Sequence, residues 1–243
     1  MRNRLVLLAG WGLGTAPLQP LADALRGLDE RLHVEIEPLP ELPGSDPQAW
    51  LEELDDRLAD NAWLGGWSLG GMLAAELAAY RGERCPGLVT LASNSSFIAL
   101  DDWPSAMAGE TFDAFRQACA TEPATILKRF ALLCSQGAAD ARGLSRLLVG
   151  GAPHCPPAAL LASLDLLASL DTREALQGYA GPQLHLFAGG DALVPATAAG
   201  QLLELLADVE IGLIDNASHA FVLERPHEVA AAIDAFLTEV SDV

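Results

Sequence analysis

Three side chains in this sequence together have the makings of an activated nucleophile: Ser68, Asp191 and His219. Ser68 sits in Gly65-Gly66-Trp67-Ser68-Leu69-Gly70-Gly71, a lone hydroxyl fenced by four glycines. A serine hydroxyl is a poor nucleophile until a base takes its proton. His219, in Asp215-Asn216-Ala217-Ser218-His219, supplies an imidazole for that task. An imidazole needs a carboxylate to fix its tautomer and to stabilise the imidazolium. Asp191, in Gly189-Gly190-Asp191-Ala192-Leu193-Val194-Pro195, is the favoured carboxylate. Asp215 is its rival, although its place on the same short loop as His219 suits it better to a local hydrogen bond. The chemistry expected of such a set is acyl transfer through a covalent acyl-serine. A glycine-fenced serine alone is a common turn, so the reading depends on the elements around it.

Those elements follow a regular order. Short β-rich runs recur at Leu5–Ala9, His33–Glu37, Ala62–Gly66, Leu88–Ser93, Gln183–Ala188 and Val209–Ile214. Most are almost continuously apolar, as strands covered on both faces must be. Helical patterns separate them at Leu18–Leu28, Asp46–Leu58, Leu69–Tyr80, Ala196–Leu206 and Pro226–Val240. The second opens with an acidic cap and a proline in the first turn. Strand and helix in alternation predict an α/β fold, a mostly parallel sheet of about six strands flanked by helices. Between the fourth and fifth strands the alternation stops, and helical patterns fill Met107–Ala120, Ala124–Leu133, Ala139–Leu148 and Pro157–Leu170. Residues 97–171 therefore read as a helical cap inserted into a core made of 1–96 and 172–243.

In this frame Ser68 falls between a strand and a helix, where small residues two before and two after let the two elements approach and leave the hydroxyl exposed at the carboxyl edge of the sheet. Asp191 and His219 follow later strands at the same edge. The order Ser68, Asp191, His219 is that of the α/β-hydrolases. A helix N-terminus favours developing negative charge, so the Leu69 amide is one expected oxyanion donor, and the Trp11 amide, in Gly10-Trp11-Gly12 after the first strand, is the other. The remaining histidines have plainer places: His33 and His185 in strands, His154 in the cap, and His227 at a helix start.

Composition narrows the partners. The 243 residues carry a formal charge of −19, which argues against a nucleic acid or an anionic membrane surface as partner. Cys85, Cys119, Cys134 and Cys155 show no paired spacing, which favours reduced thiols and a cytoplasmic protein. The basic and apolar start, Met1–Ala9, has the outline of a secretory signal, but it runs into Gly10-Trp11-Gly12 without a cleavage pattern, so no signal peptide is expected. No membrane span, metal or cofactor is expected.

Gly10-Trp11-Gly12, Gly66-Trp67-Ser68-Leu69-Gly70-Gly71, Asp102-Trp103-Pro104, Arg129-Phe130 and Asp191-Ala192-Leu193-Val194-Pro195 resemble the pimeloyl-acyl-carrier-protein methyl ester esterases of biotin synthesis, the BioH type. A monomer is expected, and the resemblance implies a serine carboxylesterase in which Ser68 attacks the methyl ester, His219 shuttles the proton and Asp191 orients His219. It also implies substrate contacts from Trp11, Ser68, Leu69 and His219, and from the cap segment Phe130, Ala131, Leu132, Leu133 and Cys134. An acyl-carrier protein would be the partner. Lys128, Arg129, Arg142 and Arg146 stand against a single acidic residue, Asp140, in the interval 124–150, and are its expected contacts; the plainer reading is a solvated helix face. Two departures from the family are visible. Ala9 stands where histidine is common, and with the first strand expected at Leu5 the family's usual leading hairpin is not expected ahead of it. Other esterases, thioesterases, lactonases or cofactor-free perhydrolases would use the same three residues, and a ligand-binding protein of the same fold is the non-enzymatic alternative.

Overall fold

In the computed structural model, which describes residues 4–241, the apolar runs form the strands of one parallel sheet. The strands are β1 Arg4–Leu8, β2 His33–Glu37, β3 Trp63–Trp67, β4 Leu88–Leu91, β5 Gln183–Ala188 and β6 Glu210–Ile214, in the spatial order β2-β1-β3-β4-β5-β6. All five pairings are parallel. Every residue of β3, β4 and β5 is buried, as a strand sandwiched between helix layers requires, while the edge strands β2 and β6 are partly open.

The helices are α1 Gln19–Leu28, α2 Pro47–Arg57, α3 Leu69–Arg81, α4 Gly109–Thr121, α5 Pro123–Ser135, α6 Ala141–Gly151, α7 Pro157–Ser169, α8 Arg173–Gly178, α9 Thr197–Leu205, α10 Phe221–Glu224 and α11 Pro226–Ser241. The chain passes from β1 outward to β2, then back across to β3 and on to β6, so its direction reverses between β1 and β3. Right-handed crossovers then place helices on opposite faces: α1 packs with α11, and α3 packs with α2 and α8. The crevice at such a reversal, beyond the carboxyl ends of the strands, is where α/β sheets hold ligands.

Local chemistry accounts for the helix starts. Asp46 caps α2 by accepting from the Gln48 amide at 3.3 Å, with Pro47 as the first helical residue. Asp140 caps α6 in the same way, through the Gly143 amide at 2.9 Å. At the far end of α3 the buried Arg81 guanidinium donates to Asp55 and to the carbonyls of Asp55, Leu58 and Ala59, tying α2 to α3.

Between β4 and β5 the described residues form four long helices, α4 to α7, and no strand of the sheet. At the base of this segment Ser96 and Asp171 form an isolated antiparallel bridge, and the Thr172 amide donates to the Ser95 carbonyl at 2.8 Å. Two short helices, α8 and α10, have no counterpart in the sequence reading. β3 also extends one residue beyond the expected Gly66, through Trp67, so that the strand leads straight into Ser68. The basic head of the signal-like start, Met1-Arg2-Asn3, lies outside the described residues. Among the described residues no helix is long and apolar enough to cross a membrane.

Candidate active site

Ser68 stands between β3 and α3 with φ 57° and ψ −122°, a conformation that side-chain-bearing residues rarely adopt. The chain holds it there by packing the elements on either side too closely for any side chain. A Cβ added to Gly66 would meet the Gly70 backbone at 2.3 Å, and one added to Gly70 would meet the Leu8 and Ala9 carbonyl oxygens at 2.4 Å. The fencing glycines thus bring α3 against the ends of β1 and β3. The Ser68 amide is fixed by the Leu91 carbonyl of β4 at 2.8 Å.

Asp191 follows β5 and His219 follows β6, and the two loops are tied together: the Gly189 amide donates to Ile214 at 2.9 Å and the Gly190 amide to Ala217 at 2.8 Å. His219 Nδ1 lies 2.7 Å from Asp191 Oδ2. The other carboxylate oxygen, Oδ1, accepts from the Leu193 and Val194 amides at 2.8 and 2.9 Å. Both oxygens are therefore held, and the Nδ1 proton of a neutral His219 has its acceptor. That tautomer leaves a lone pair on Nε2, which is buried and is the one buried side-chain nitrogen or oxygen without a hydrogen-bond partner among the described residues.

Neighbouring groups fix the imidazole relative to Ser68. The Trp67 indole, one residue before Ser68, donates to the His219 carbonyl at 2.9 Å, and its ring lies 5.6 Å from the imidazole. Glu224 accepts from both the amide and the hydroxyl of Ser218, at 3.0 and 2.9 Å. From the helical segment, the Cys134 carbonyl accepts from the Ala220 amide at 3.0 Å, and Gly137, at φ 98°, lies against the Gly190 carbonyl so closely that a Cβ would come within 2.3 Å. The end of α5 and the turn after it therefore touch the loops of both His219 and Asp191.

The other expected residues divide. The amides of Trp11 and Leu69 donate no hydrogen bond within the protein among the described residues. For Leu69 this follows from its place at the first position of α3. The Trp11 side chain is buried; its indole donates to the Leu160 carbonyl of α7 at 3.0 Å, and its ring meets Phe130 edge-on at 4.9 Å. Phe130 and Leu133 join Phe97, Phe112, Phe115 and Leu193 around a narrow apolar cavity of only about 20 Å³. Ala131 and Cys134 are buried but do not line it, and Leu132 is 52% exposed. The helical period explains the split, since Phe130, Leu133 and Cys134 share the inner face of α5 and Leu132 points away from it. Lys128, Arg129, Arg142 and Arg146 are all exposed. Arg146 donates to the Arg142 carbonyl at 3.3 Å. Ala9 is buried, with its amide on the Glu37 carbonyl at 3.0 Å.

Asp215 is exposed and does not reach His219. His185 is buried against Thr90, with Nδ1 2.7 Å from Oγ1, and burial lowers its pKa to about 3. A larger groove, lined by Tyr179, Gln183, Glu210 and Phe236 among others, opens at the amino ends of β5 and β6, the edge of the sheet opposite Ser68. Sequence reasoning did not find the roles of Trp67 and Glu224 in holding the His219 loop; only the tryptophan in the glycine-rich motif gave a signal.

Residues 5–232 match the profile described as "Alpha/beta hydrolase family". The chain is 36% identical to the biotin biosynthesis bifunctional protein BioHC of Cellvibrio japonicus, covering 97% of this chain but 47% of that relative. It is 35% identical to the pimeloyl-[acyl-carrier protein] methyl ester esterase of Aromatoleum aromaticum, covering 96% of this chain and 97% of that one. The chain thus spans about half of the bifunctional relative and nearly all of the single-function one. Among solved structures, a bromoperoxidase from Bacillus anthracis superposes with a TM-score of 0.82 at 19% identity, over 98% of this chain and 92% of that one. An esterase from Exiguobacterium antarcticum gives 0.83 at 17%, over 97% and 91%. With sheet order, loop positions and near full-length similarity in agreement, the chain belongs to the alpha/beta hydrolase family, in the branch of the pimeloyl-[acyl-carrier protein] methyl ester esterases.

Proposed function

We propose that this protein is a serine carboxylesterase whose substrate is the methyl ester of a pimeloyl group carried on an acyl-carrier protein, and that it serves biotin synthesis. Ser68, Asp191 and His219 act as its triad. The observation that carries the reading is the state of His219: Nδ1 is engaged by Asp191, while Nε2 is buried and unpartnered, which is how a general base waits for a proton. The substrate class follows from the name borne by relatives matched over nearly the whole chain.

Ser68 Oγ attacks the ester carbonyl as Nε2 takes its proton. The amides of Trp11 and Leu69 receive the negative charge of the tetrahedral intermediate. The imidazolium passes the proton to the methoxy oxygen, methanol departs and an acyl-serine remains. Water, deprotonated by His219, then attacks the acyl carbon; the tetrahedral intermediate collapses, Ser68 recovers its proton and the free carboxyl group leaves still attached to its carrier through the other end.

Residues 97–171 serve as a cap over this site. Phe130, with Trp11 against its ring, and Leu133 form the apolar wall for the acyl chain, and Ala131 and Cys134, buried on the same helix, support it. The outward Leu132 belongs with the carrier-facing surface of Lys128, Arg129, Arg142 and Arg146, a basic island on an acidic protein that suits an acidic partner. The protein works as a monomer, and in the cytoplasm, a compartment favoured by four cysteines without paired spacing.

The test combines labelling and turnover. A fluorophosphonate should label Ser68 stoichiometrically, and carrier-linked methyl esters should be hydrolysed faster than free methyl esters or thioesters. Labelling with equal turnover of all three would leave a general esterase or thioesterase. Absence of labelling in folded protein would leave a ligand-binding member of the fold.

A further inference from the structure

The residue behind Ser68 is itself in an unusual position. Ala92 directly follows β4 and has φ 48°, left-handed backbone at a residue that is not glycine. The β3–β4 register pairs Trp67 with Leu91, so Ser68 and Ala92, the next residue on each strand, turn side by side. Such a backbone costs energy and persists only where its surroundings hold it. Here the Ala92 amide is held by the Leu186 carbonyl at 2.8 Å. Just beyond, Asn94 accepts from the Ser95 amide and the Trp103 indole, both at 2.9 Å, and donates to the Ser105 carbonyl at 2.7 Å. The turn so fixed brings the buried Ser93 hydroxyl back to the Ser68 carbonyl, to which it donates at 2.7 Å. A second acceptor, the Leu91 carbonyl, lies at 3.3 Å, and the single proton goes to the nearer oxygen. The contact is tight from the helix side as well, since a Cβ on Gly71 would come within 2.0 Å of Ser93 Oγ.

The Ser68 carbonyl and the Leu69 amide belong to one peptide unit. In a trans peptide the C=O and N–H point in opposite directions, and none of the described peptide bonds is cis. A donor on the carbonyl therefore fixes the plane of that unit and polarises its N–H on the far side, as bonds in a chain strengthen one another. We infer that Ser93 is a positioning residue: through the Ser68–Leu69 peptide it aims and strengthens the amide that receives the oxyanion. This rests on the assignment of Ser68 as nucleophile and of the Leu69 amide as an oxyanion donor. Two further donors, the Gly71 amide at 2.9 Å and the Met72 amide at 3.3 Å, share the same carbonyl as part of the first turn of α3. Ser93 adds the one donor that comes from outside the helix.

The test compares wild type with Ser93→Ala and Ser93→Cys, which keeps the size but donates weakly. An aryl trifluoromethyl ketone serves as the probe, because its hemiketal with a serine carries an oxyanion whose protonation is read by ¹³C NMR. Ser93→Ala should lower kcat for a simple ester roughly tenfold, the scale of one hydrogen bond lost in the transition state, with KM nearly unchanged. It should weaken the ketone by a similar factor and raise the pKa of the hemiketal oxyanion, with Ser93→Cys in between. A fall in kcat with an unmoved hemiketal pKa would mean that the hydroxyl only supports the fold, and would overturn the inference. Unchanged kcat and ketone affinity would overturn it too. Should Ser93→Ala fail to fold, the Cys variant carries the same comparison. A wild-type protein that forms no hemiketal at all would instead remove the assignment of Ser68, and this inference with it.

Discussion

His219 Nδ1 and Asp191 Oδ2 stand 2.7 Å apart with both side chains closed to solvent, whereas Asp215, nearer to His219 in sequence, is exposed. Asp191→Asn should therefore lower kcat by roughly 10⁴-fold, the scale of a mis-set tautomer, while Asp215→Asn changes it little. Steady-state kinetics of the two folded variants decide the matter. The reverse ranking would move the acid to Asp215.

Ser68→Ala should keep its fold and lose hydrolysis by several orders of magnitude, because members of a triad act as a unit. Circular dichroism and turnover measured on the same preparation test this. Near-normal turnover would remove Ser68 from the mechanism.

The elbow glycines give a stability test. Gly70→Ala drives a methyl to within 2.4 Å of the Leu8 and Ala9 carbonyls, and overpacking of this kind costs about 1–3 kcal/mol or more. Gly27→Ala in α1 meets nothing within 4 Å and should stabilise by about 0.5–1 kcal/mol. Urea unfolding of both variants reads the contrast, and a Gly70→Ala protein as stable as wild type would show that the elbow has room to spare.

Glu76 on α3 provides a pH test. Burial first, and then the carboxylates of Asp171 and Glu174, push its pKa up from 4.5 to about 7. Between those values the native protein keeps a proton that the unfolded chain gives up, so this group stabilises the fold below 4.5 and its contribution is lost as pH rises to about 7. Glu76→Gln should thus have a higher Tm than wild type at about pH 8, with the difference shrinking by about pH 4.5. His185, held neutral with its pKa near 3, gives a slope of opposite sign between 6.5 and 3, but it is common to both proteins and drops out of the comparison. A difference in Tm that does not vary with pH would show that Glu76 ionises normally.

The basic island is tested by salt. Replacing Arg129 and Arg142 by alanine should lower kcat/KM for a carrier-linked ester and leave a small neutral ester unaffected. Added salt should erode the wild-type preference for the carrier-linked substrate, since attraction is screened over roughly 10 Å at about 0.1 M. Equal losses on both substrates would assign the arginines to the fold of the cap; no loss on either would make them a solvated surface.

The sheet could be read from the sequence because its inner strands are buried on both faces and announce themselves as nearly continuous apolar runs, as Leu5–Leu8 and Leu88–Leu91 do. The positions of Ser68, Asp191 and His219 followed, since each lies on the loop after the carboxyl end of a strand. The apolar cavity was hidden for the opposite reason. Phe97, Phe112 and Phe130 come from separate elements, and nothing in one helix says which face another will meet. Helical spacing alone would have turned Leu132 away from Phe130 and Leu133, but a segment taken whole carried it along. Ala92 was equally silent, because alanine gives no sign of a left-handed turn that its neighbours impose.

The contacts made by the end of α5 bear on how such a chain changes over generations. The helices between β4 and β5 meet the loops around Ser68 and Asp191 largely through side chains, such as the Phe130 ring on Trp11 and the apolar groups that line one cavity with Leu193. At one small joint the contact is made by backbone: a carbonyl at position 134 receives the Ala220 amide, and a residue without a side chain at 137 lies against Gly190. A change of side chain can therefore reshape the apolar surface that faces the loops, whereas at 137 any side chain would strain the joint itself.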